Sequence, residues 1–158
     1  MKKITEEEVQ KELKLFKHSI MGQVKFHEVD SFGVVHNIQY FYFCEWARTK
    51  YLEFCGIKFD HTTFTTSNPL MTVYHEMNYF NPLLLSFEYE VFTRTSHIGN
   101  SSITIENIIT DLDGKIIIKL KSVLVYLSTT DYKPTRIPDE FRNFIMQMEG
   151  NDLISSGK

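Results

Sequence analysis

The chain has 158 residues, of which 42% are hydrophobic and 23% charged, and this fits one globular domain, because domains run to about 100–200 residues. Seventeen Lys and Arg against twenty Asp and Glu leave a net charge of -3, which argues against a nucleic-acid surface or an anionic-membrane surface, since both need a basic excess or stripe. Thirteen Phe, eight Tyr and one Trp stand beside only seven Gly and four Pro, so collagen-like, low-complexity and disordered classes are excluded.

Residues 5–17 carry the pattern of a short amphipathic helix. Thr5 and Glu8 have capping-box spacing, Ile4 and Val9 that of a hydrophobic staple, and Val9, Leu13 and Phe16 form one apolar stripe. This helix reads as an extension over residues 1–18, packed on a body at 19–148 that is followed by a C-terminal tail at 149–158. Residues 19–28 alternate loosely and predict a first strand; a loop centred on Gly33 follows, with Asn37 as the candidate N-cap of the next element.

From Ile38 to Cys55 there is no Gly or Pro, and Gly56 supplies the stop, which predicts a helix of about five turns. Its charges do not gather on one face: Glu45 and Arg48 lie on one side, Lys50 and Glu53 on roughly the opposite one, and aromatics fill most of the rest. Eight of the aromatics lie between Tyr40 and Phe59. Such a helix needs cover from more than one direction, as from a sheet that curls around it and a second subunit or layer that closes the remainder.

After a polar link at 61–69, four strands are predicted at 70–80, 85–98, 102–110 and 115–129, with tight turns at Gly99-Asn100 and Asp113-Gly114. Pro134 and Pro138 lead into a short helix at 139–148, and the last residues are expected to fray. Strand, long helix and then four strands make an α+β protein, an antiparallel sheet with one dominant helix on its concave face. The doubly wound alternative needs strand and helix in alternation, and no Gly-rich phosphate loop is present.

Cys44 and Cys55, the only cysteines, fall in the same helix about 16 Å apart and cannot bridge each other. The N-terminus lacks the apolar core of a signal peptide and no run approaches a membrane span. A cytoplasmic protein with free thiols is expected.

Chemistry concentrates in FHEVDSFGVVHNIQYFYFCEWAR, residues 26–48. Asp30 stands ahead of the Gly33 loop, and the backbone enters the long helix near Asn37. Free N–H groups at a helix start can polarise a carbonyl, and a nearby carboxylate can attack it or activate water. Bland readings stand beside this one. An Asp before a Gly loop is more often a turn residue, and His36 alone is more often structural. His27, Glu28, Asp30 and His36 match no metal-ligand spacing, Glu45 and Arg48 are most simply an intrahelical ion pair, and the cysteines read as core.

The same segment resembles the signature of hotdog-fold acyl-CoA thioesterases of the 4-hydroxybenzoyl-CoA thioesterase type. That pattern runs roughly D-x-D-x-x-G-V-V, an aromatic or His, a His or Asn, x-x-Y, and then a helical E-x-A-R. It is met here by Glu28, Asp30, Gly33, Val34, Val35, His36, Asn37, Tyr40, Glu45, Ala47 and Arg48. HIGNSSITIENII, DLDGKIIIKLKSVLVYL and KPTRIPDEF are similar to later strands and the closing segment of the family, so the likeness spans about residues 20–145. Two positions depart from it: Glu28 replaces the commoner Asp, and Asn37 stands where many relatives have His.

The resemblance implies a hotdog fold whose protomers pair edge to edge as homodimers or homotetramers, with active sites at the protomer interface. It implies hydrolysis of an acyl- or aroyl-CoA thioester to free acid and CoA, without metal or cofactor beyond the CoA of the substrate. Asp30 would be nucleophile or general base, the helix start near Asn37 the oxyanion donor, and His36 the substitute proton carrier. Gly33, Val35 and Tyr40 would line the substrate, with Phe41 and Phe43 as further candidates, and Gly99, Asn100 and Ser101 would lie near the CoA chain. An enoyl-thioester hydratase and a non-catalytic acyl-CoA-binding protein are the alternatives.

Overall fold

The computed structural model describes residues 4–57 and 70–155; the polar link at 61–69 lies outside the described residues. In chain order the elements are α1 (Glu6–Glu12), β1 (His18–Gln23), α2 (Asn37–Phe54), β2 (Leu70–Tyr79), β3 (Glu88–Ile98), β4 (Ser102–Asp111), β5 (Ile116–Tyr126), α3 (Asp139–Glu149) and β6 (Ile154–Ser155). The five long strands form one antiparallel sheet in the order β1-β3-β4-β5-β2. Among the described residues β2 is therefore an edge strand, paired only with β5.

The two faces of the sheet are filled by different helices. Val91, Ile109 and Ile118 point to the concave face and pack with Tyr40, Phe43, Cys44 and Ala47 of α2. Their neighbours in the strands, Phe92 and Ile108, point the opposite way, as strand alternation requires, and join Ile116 in packing against Val9, Leu13 and Phe16. The N-terminal segment thus covers the convex face. Its capping box is formed, with Glu8 N–H donating to Thr5 Oγ1 at 3.2 Å and Thr5 N–H to Glu8 Oε2 at 2.9 Å.

At its far end α2 stops at Cys55, and Gly56 follows with φ +91, a left-handed conformation that suits glycine. Here α3 closes the core, with Phe141 and Ile145 against Tyr51, Leu52, Ile98, Ile103 and Leu124.

Three expectations are corrected. The first strand ends at Gln23 rather than 28, because Glu28 turns back to accept the Lys25 N–H at 2.7 Å and winds Phe26–Glu28 into a 3-10 turn. The long helix is capped by His36 and begins at Asn37, so Asn37 is not the cap. Residues 149–155 do not fray: Glu149 is buried, and Ile154 and Ser155 pair in parallel with His97 and Ile98.

Glu149 ties three elements together. Its Oε1 accepts the Tyr51 O–H at 2.5 Å and the Thr95 N–H at 2.9 Å, while Tyr51 O–H also lies 3.0 Å from Thr95 Oγ1. Oε2 is buried without a partner among the described residues. Burial outweighs these hydrogen bonds and raises the Glu149 carboxyl above its ordinary 4.5. Protonation of Glu149 therefore favours the folded chain. That contribution is fully present below pH 4.5 and is lost as pH rises through the elevated folded value.

Urea unfolding of wild type and Glu149→Gln across this window checks the sign. Wild type is expected to gain stability relative to the variant as pH falls toward 4.5, and parallel curves would contradict the assignment.

Candidate active site

The Asp30 loop is a small hairpin held on both sides. Val29 bridges Val35, and Val34 bridges Leu84. Asp30 N–H donates to Val34 O at 2.9 Å and Gly33 N–H to Asp30 O at 3.0 Å. Gly33 has φ +73, a conformation disfavoured for residues with a Cβ, and so permits the reversal. The exit strand is then fixed by Val35 N–H to Leu83 O and His36 N–H to Glu28 O, each 2.9 Å. These bonds set the start of α2 against the loop.

Asp30 is exposed, and its side chain closes its own turn: Oδ1 accepts Phe32 N–H at 2.8 Å and Val34 N–H at 3.4 Å. Oδ2 takes no hydrogen bond from any described residue. His36 Nδ1 accepts the Ile38 N–H at 3.4 Å as the helix cap, and Gln39 N–H reaches His36 O at 2.8 Å. That leaves the N–H of Asn37, the first residue of α2, without an acceptor among the described residues. A free carboxylate oxygen and a free helix-start donor are thus held by one hydrogen-bonded framework, the combination that carbonyl attack needs.

Other expected site residues sit differently. Val35 and Tyr40 are buried, and the Tyr40 hydroxyl accepts the Leu83 N–H at 3.3 Å, so Tyr40 braces the 81–85 segment from within the core. Phe43 is buried too, stacked on Tyr89 at 4.6 Å, while Phe41 is half-buried. Gly99, Asn100 and Ser101 lie at the opposite end of β3 from the Asp30 loop, which is anchored beside Leu83 and Leu84. Eleven strand residues separate the two ends, a span of about 33 Å. Arg142 Nη2 clamps this turn by donating to Gly99 O at 2.8 Å and Asn100 O at 3.3 Å. One protomer does not bring the two groups together.

Glu45 Oε1 lies 3.5 Å from Arg48 Nη2, the expected intrahelical pair. Among the described residues no group of three His, Cys, Asp or Glu side chains converges on a metal position. Burial pushes the Cys44 thiol far up and Cys55 up to about 11, so neither is a ready nucleophile. A depression of about 400 Å³ lies along α1, lined by Ile4, Glu8, Lys11 and Glu12, away from Asp30. Sequence reasoning missed Leu83, which holds both Val35 and Tyr40, and Arg142, which sits in a helix with no local sign of a distant partner.

Residues 24–145 match the family described as the thioesterase-like superfamily. The chain belongs to this family, adopts its hotdog fold, and falls in the thioester hydrolase class of enzymes. It is 28% identical over 139 residues to the chloroplastic acyl-acyl carrier protein thioesterase ATL3 of Arabidopsis thaliana, covering 87% of this chain and 72% of the relative. Among solved structures, a thioesterase from Thermus thermophilus complexed with coenzyme A and Zn is 29% identical with a TM-score of 0.74, covering 86% of this chain and 96% of that one. A 1,4-dihydroxy-2-naphthoyl-CoA thioesterase from Synechocystis, at 15% identity and TM-score 0.76 over 83% and 96% of the two chains, shares the fold. No helix among the described residues is long and apolar enough to cross a membrane.

Glu28 anchors the loop from inside the core, where it is 8% exposed. Glu28→Ala removes the acceptor for Lys25 N–H and is expected to cost about 1–3 kcal/mol, read by urea unfolding. A loss below about 0.5 kcal/mol, the size of a neutral surface change, would show that the loop is held without it.

Proposed function

We propose that this chain hydrolyses an acyl-CoA thioester to free acid and CoA, and that its active site is completed by a second copy of the chain. The pairing of the free Asp30 Oδ2 with the unused Asn37 N–H carries this reading. The N–H stabilises the oxygen of the tetrahedral intermediate, a role in which one donor is worth about 3–4 kcal/mol. Asp30 drives the attack, either by adding its own oxygen to the carbonyl carbon and expelling the thiolate to leave a mixed anhydride, which water then cleaves to free acid and the restored carboxylate, or by taking a proton from an attacking water, after which the tetrahedral intermediate collapses and expels the thiolate. His36 lies between them in the chain as the candidate proton carrier. No metal or further cofactor enters these steps. Reduced, buried Cys44 and Cys55 fit a cytoplasmic setting.

The second copy follows from sheet direction. β2 runs antiparallel to β5, with Leu70 opposite Tyr126 and Tyr79 opposite Ile118. Its first residue is therefore near the Ser101 turn, whose carbonyl accepts Tyr126 N–H at 2.8 Å, and its last leads to Leu83 and the Asp30 loop. If two β2 edges pair about a two-fold axis, the start of one lies beside the end of the other. The partner's turn at 99–101 is thereby brought toward Asp30, as a CoA contact from the other protomer. The surface supports such pairing. Met71, Val73, Tyr74 and Tyr79 are exposed along β2, and Ile38, Tyr42 and Trp46 along one face of α2, apolar side chains that an edge pairing could cover.

Two substitutions separate fold from chemistry. Asp30→Asn retains an Oδ1 for the Phe32 and Val34 N–H groups, so its melting temperature should hold while thiol release falls about 10²–10⁴-fold. Asn37→Pro removes the N–H together with the side-chain amide, and Asn37→Ala removes the amide alone. The first helical position accepts proline, and His36 already has the φ -63, ψ 139 that proline demands of its predecessor. Asn37→Pro should fold normally and lose about 10²–10³-fold in kcat, while Asn37→Ala stays active. Near-wild-type thiol release by Asp30→Asn, or by a folded Asn37→Pro, would defeat the assignment.

A further inference from the structure

The ring of His36 has a task in the fold that bears on its part in the chemistry. An α-helix begins with N–H groups that no earlier turn can answer. In α2 the acceptors for two of them belong to His36: its Nδ1 takes the Ile38 N–H at 3.4 Å, and its carbonyl oxygen takes the Gln39 N–H at 2.8 Å. The Asn37 N–H, between the residue that caps and the residue that is capped, has no acceptor among the described residues. His36 is held in turn by its own N–H, which donates to Glu28 O at 2.9 Å, and Glu28 is buried. The bonds that lead from the 3-10 turn at Phe26–Glu28 to the free donor therefore pass through one residue.

An acceptor at Nδ1 fixes the place of the ring proton. In a neutral imidazole one nitrogen donates and the other accepts, so a ring that accepts at Nδ1 carries its hydrogen on Nε2. An imidazolium has N–H groups at both positions and cannot accept. Protonated His36 would set a donor against the Ile38 N–H, and a positive charge against the positive end of the α2 dipole. It would have to turn away to water, and the Ile38 N–H would lose its partner.

The neighbourhood does not hold a charged ring in place. The titratable side chains of the adjoining segments are Lys25, His27 and Glu28 in and before the 3-10 turn, Asp30 in the loop, and Tyr40 one turn into the helix; the 81–87 segment has none. Glu28 accepts the Lys25 N–H and lies 3.9 Å from His27, Asp30 Oδ1 accepts the Phe32 and Val34 N–H groups, and the Tyr40 hydroxyl accepts the Leu83 N–H. Among the described residues no carboxylate pairs with the His36 ring.

We propose that His36 serves the reaction as a neutral cap that holds the Asn37 donor in place, and that a proton on its ring switches the site off by releasing the start of α2. Of the two roles open to this ring, proton carrier and cap, the Nδ1 bond favours the second, since a ring that took a proton would undo the donor it stands beside. His36 is then a positioning residue. The inference rests on the hydrolytic reading above for its activity readout, while the state of the ring can be read without turnover.

The test compares full-length wild type with His36→Asn, His36→Ser and His36→Ala, measuring thiol release from an acyl-CoA between about pH 5 and 9, the range that spans the charging of an ordinary imidazole. Asn and Ser are strong caps without a titrating ring, and Ala cannot cap. At about pH 8, His36→Ala is expected to lose about two- to thirtyfold in kcat, the range that loss of a cap covers, and His36→Asn and His36→Ser to recover most of it. On the acid side wild type should lose activity as an imidazole charges, and the two capping variants should not share that loss. A carrier role gives the opposite pattern, with all three variants down about 10²-fold or more alike, and overturns the proposal. So does His36→Ala with wild-type activity, or an imidazole limb that persists in His36→Asn. If no acyl-CoA releases thiol, the hydrolytic reading falls separately, and ¹⁵N spectra of the wild-type ring decide this inference alone, as they do if a variant fails to fold. Hydrogen on Nε2 with Nδ1 bare, and an Ile38 amide resonance that moves as the ring charges, uphold it; hydrogen on Nδ1, or an Ile38 resonance indifferent to that titration, overturns it.

Discussion

α2 carries apolar side chains around most of its circumference, and each of them has to be covered. Tyr40, Phe43, Cys44, Ala47 and Tyr51 are buried, whereas Ile38, Tyr42, Trp46 and Phe54 remain exposed on one protomer. A single sheet satisfies the first group by curving its concave face around the helix, which makes the strands long and leaves the convex face bare. The convex face is covered in turn by Val9, Leu13 and Phe16 of the N-terminal segment. The far end of the helix is sealed by α3 and by the Tyr51–Glu149–Thr95 bonds. Among the described residues, no element covers the β2 edge or the outer side of α2.

The proposed two-chain site would give that remaining exposure and the separation of the Asp30 loop from the 99–101 turn one origin. The hydrogen bonds of Val35, His36 and Tyr40 fix the start of α2 to the strand that leaves the Asp30 loop, so the candidate carboxylate and donor belong to one chain. The length of β3 keeps the 99–101 turn at the other end of the sheet. Because β2 runs antiparallel to β5 along the same span, a two-fold pairing at its edge both buries the exposed aromatics and exchanges the ends. In the proposed dimer, cover for α2 and completion of the site would be the same event.

Much of this was legible in the residues. The run without Gly or Pro from Ile38 to Cys55, the turns at Gly99-Asn100 and Asp113-Gly114, and the Asp30–Gly33 spacing are local features, and local sterics decide them. Where the reading slipped, the deciding contact was a competing side chain or a partner distant in sequence. His36 and Asn37 can both cap, and the extended backbone of His36 settled the choice. Glu28 shortened the first strand by taking the Lys25 N–H. The bond from the Leu83 N–H to the Tyr40 hydroxyl joins residues 43 apart in the chain, which no local pattern announces. The parallel pairing of β6 and the burial of Glu149 depend on β3 and leave no periodic trace. The Glu45–Arg48 pair was evident from i,i+3 spacing.

Mixing two inactive variants tests the shared site most directly. Asp30→Asn removes the carboxylate from one protomer, and Asn100→Trp obstructs the turn that would meet the partner's substrate while altering an exposed side chain. Each variant alone should release little thiol from acyl-CoA. After the two are unfolded and refolded together, half of the dimers are mixed and each mixed dimer holds one intact site, so about a quarter of wild-type activity should return. A mixture no more active than its components would contradict a site built from two chains.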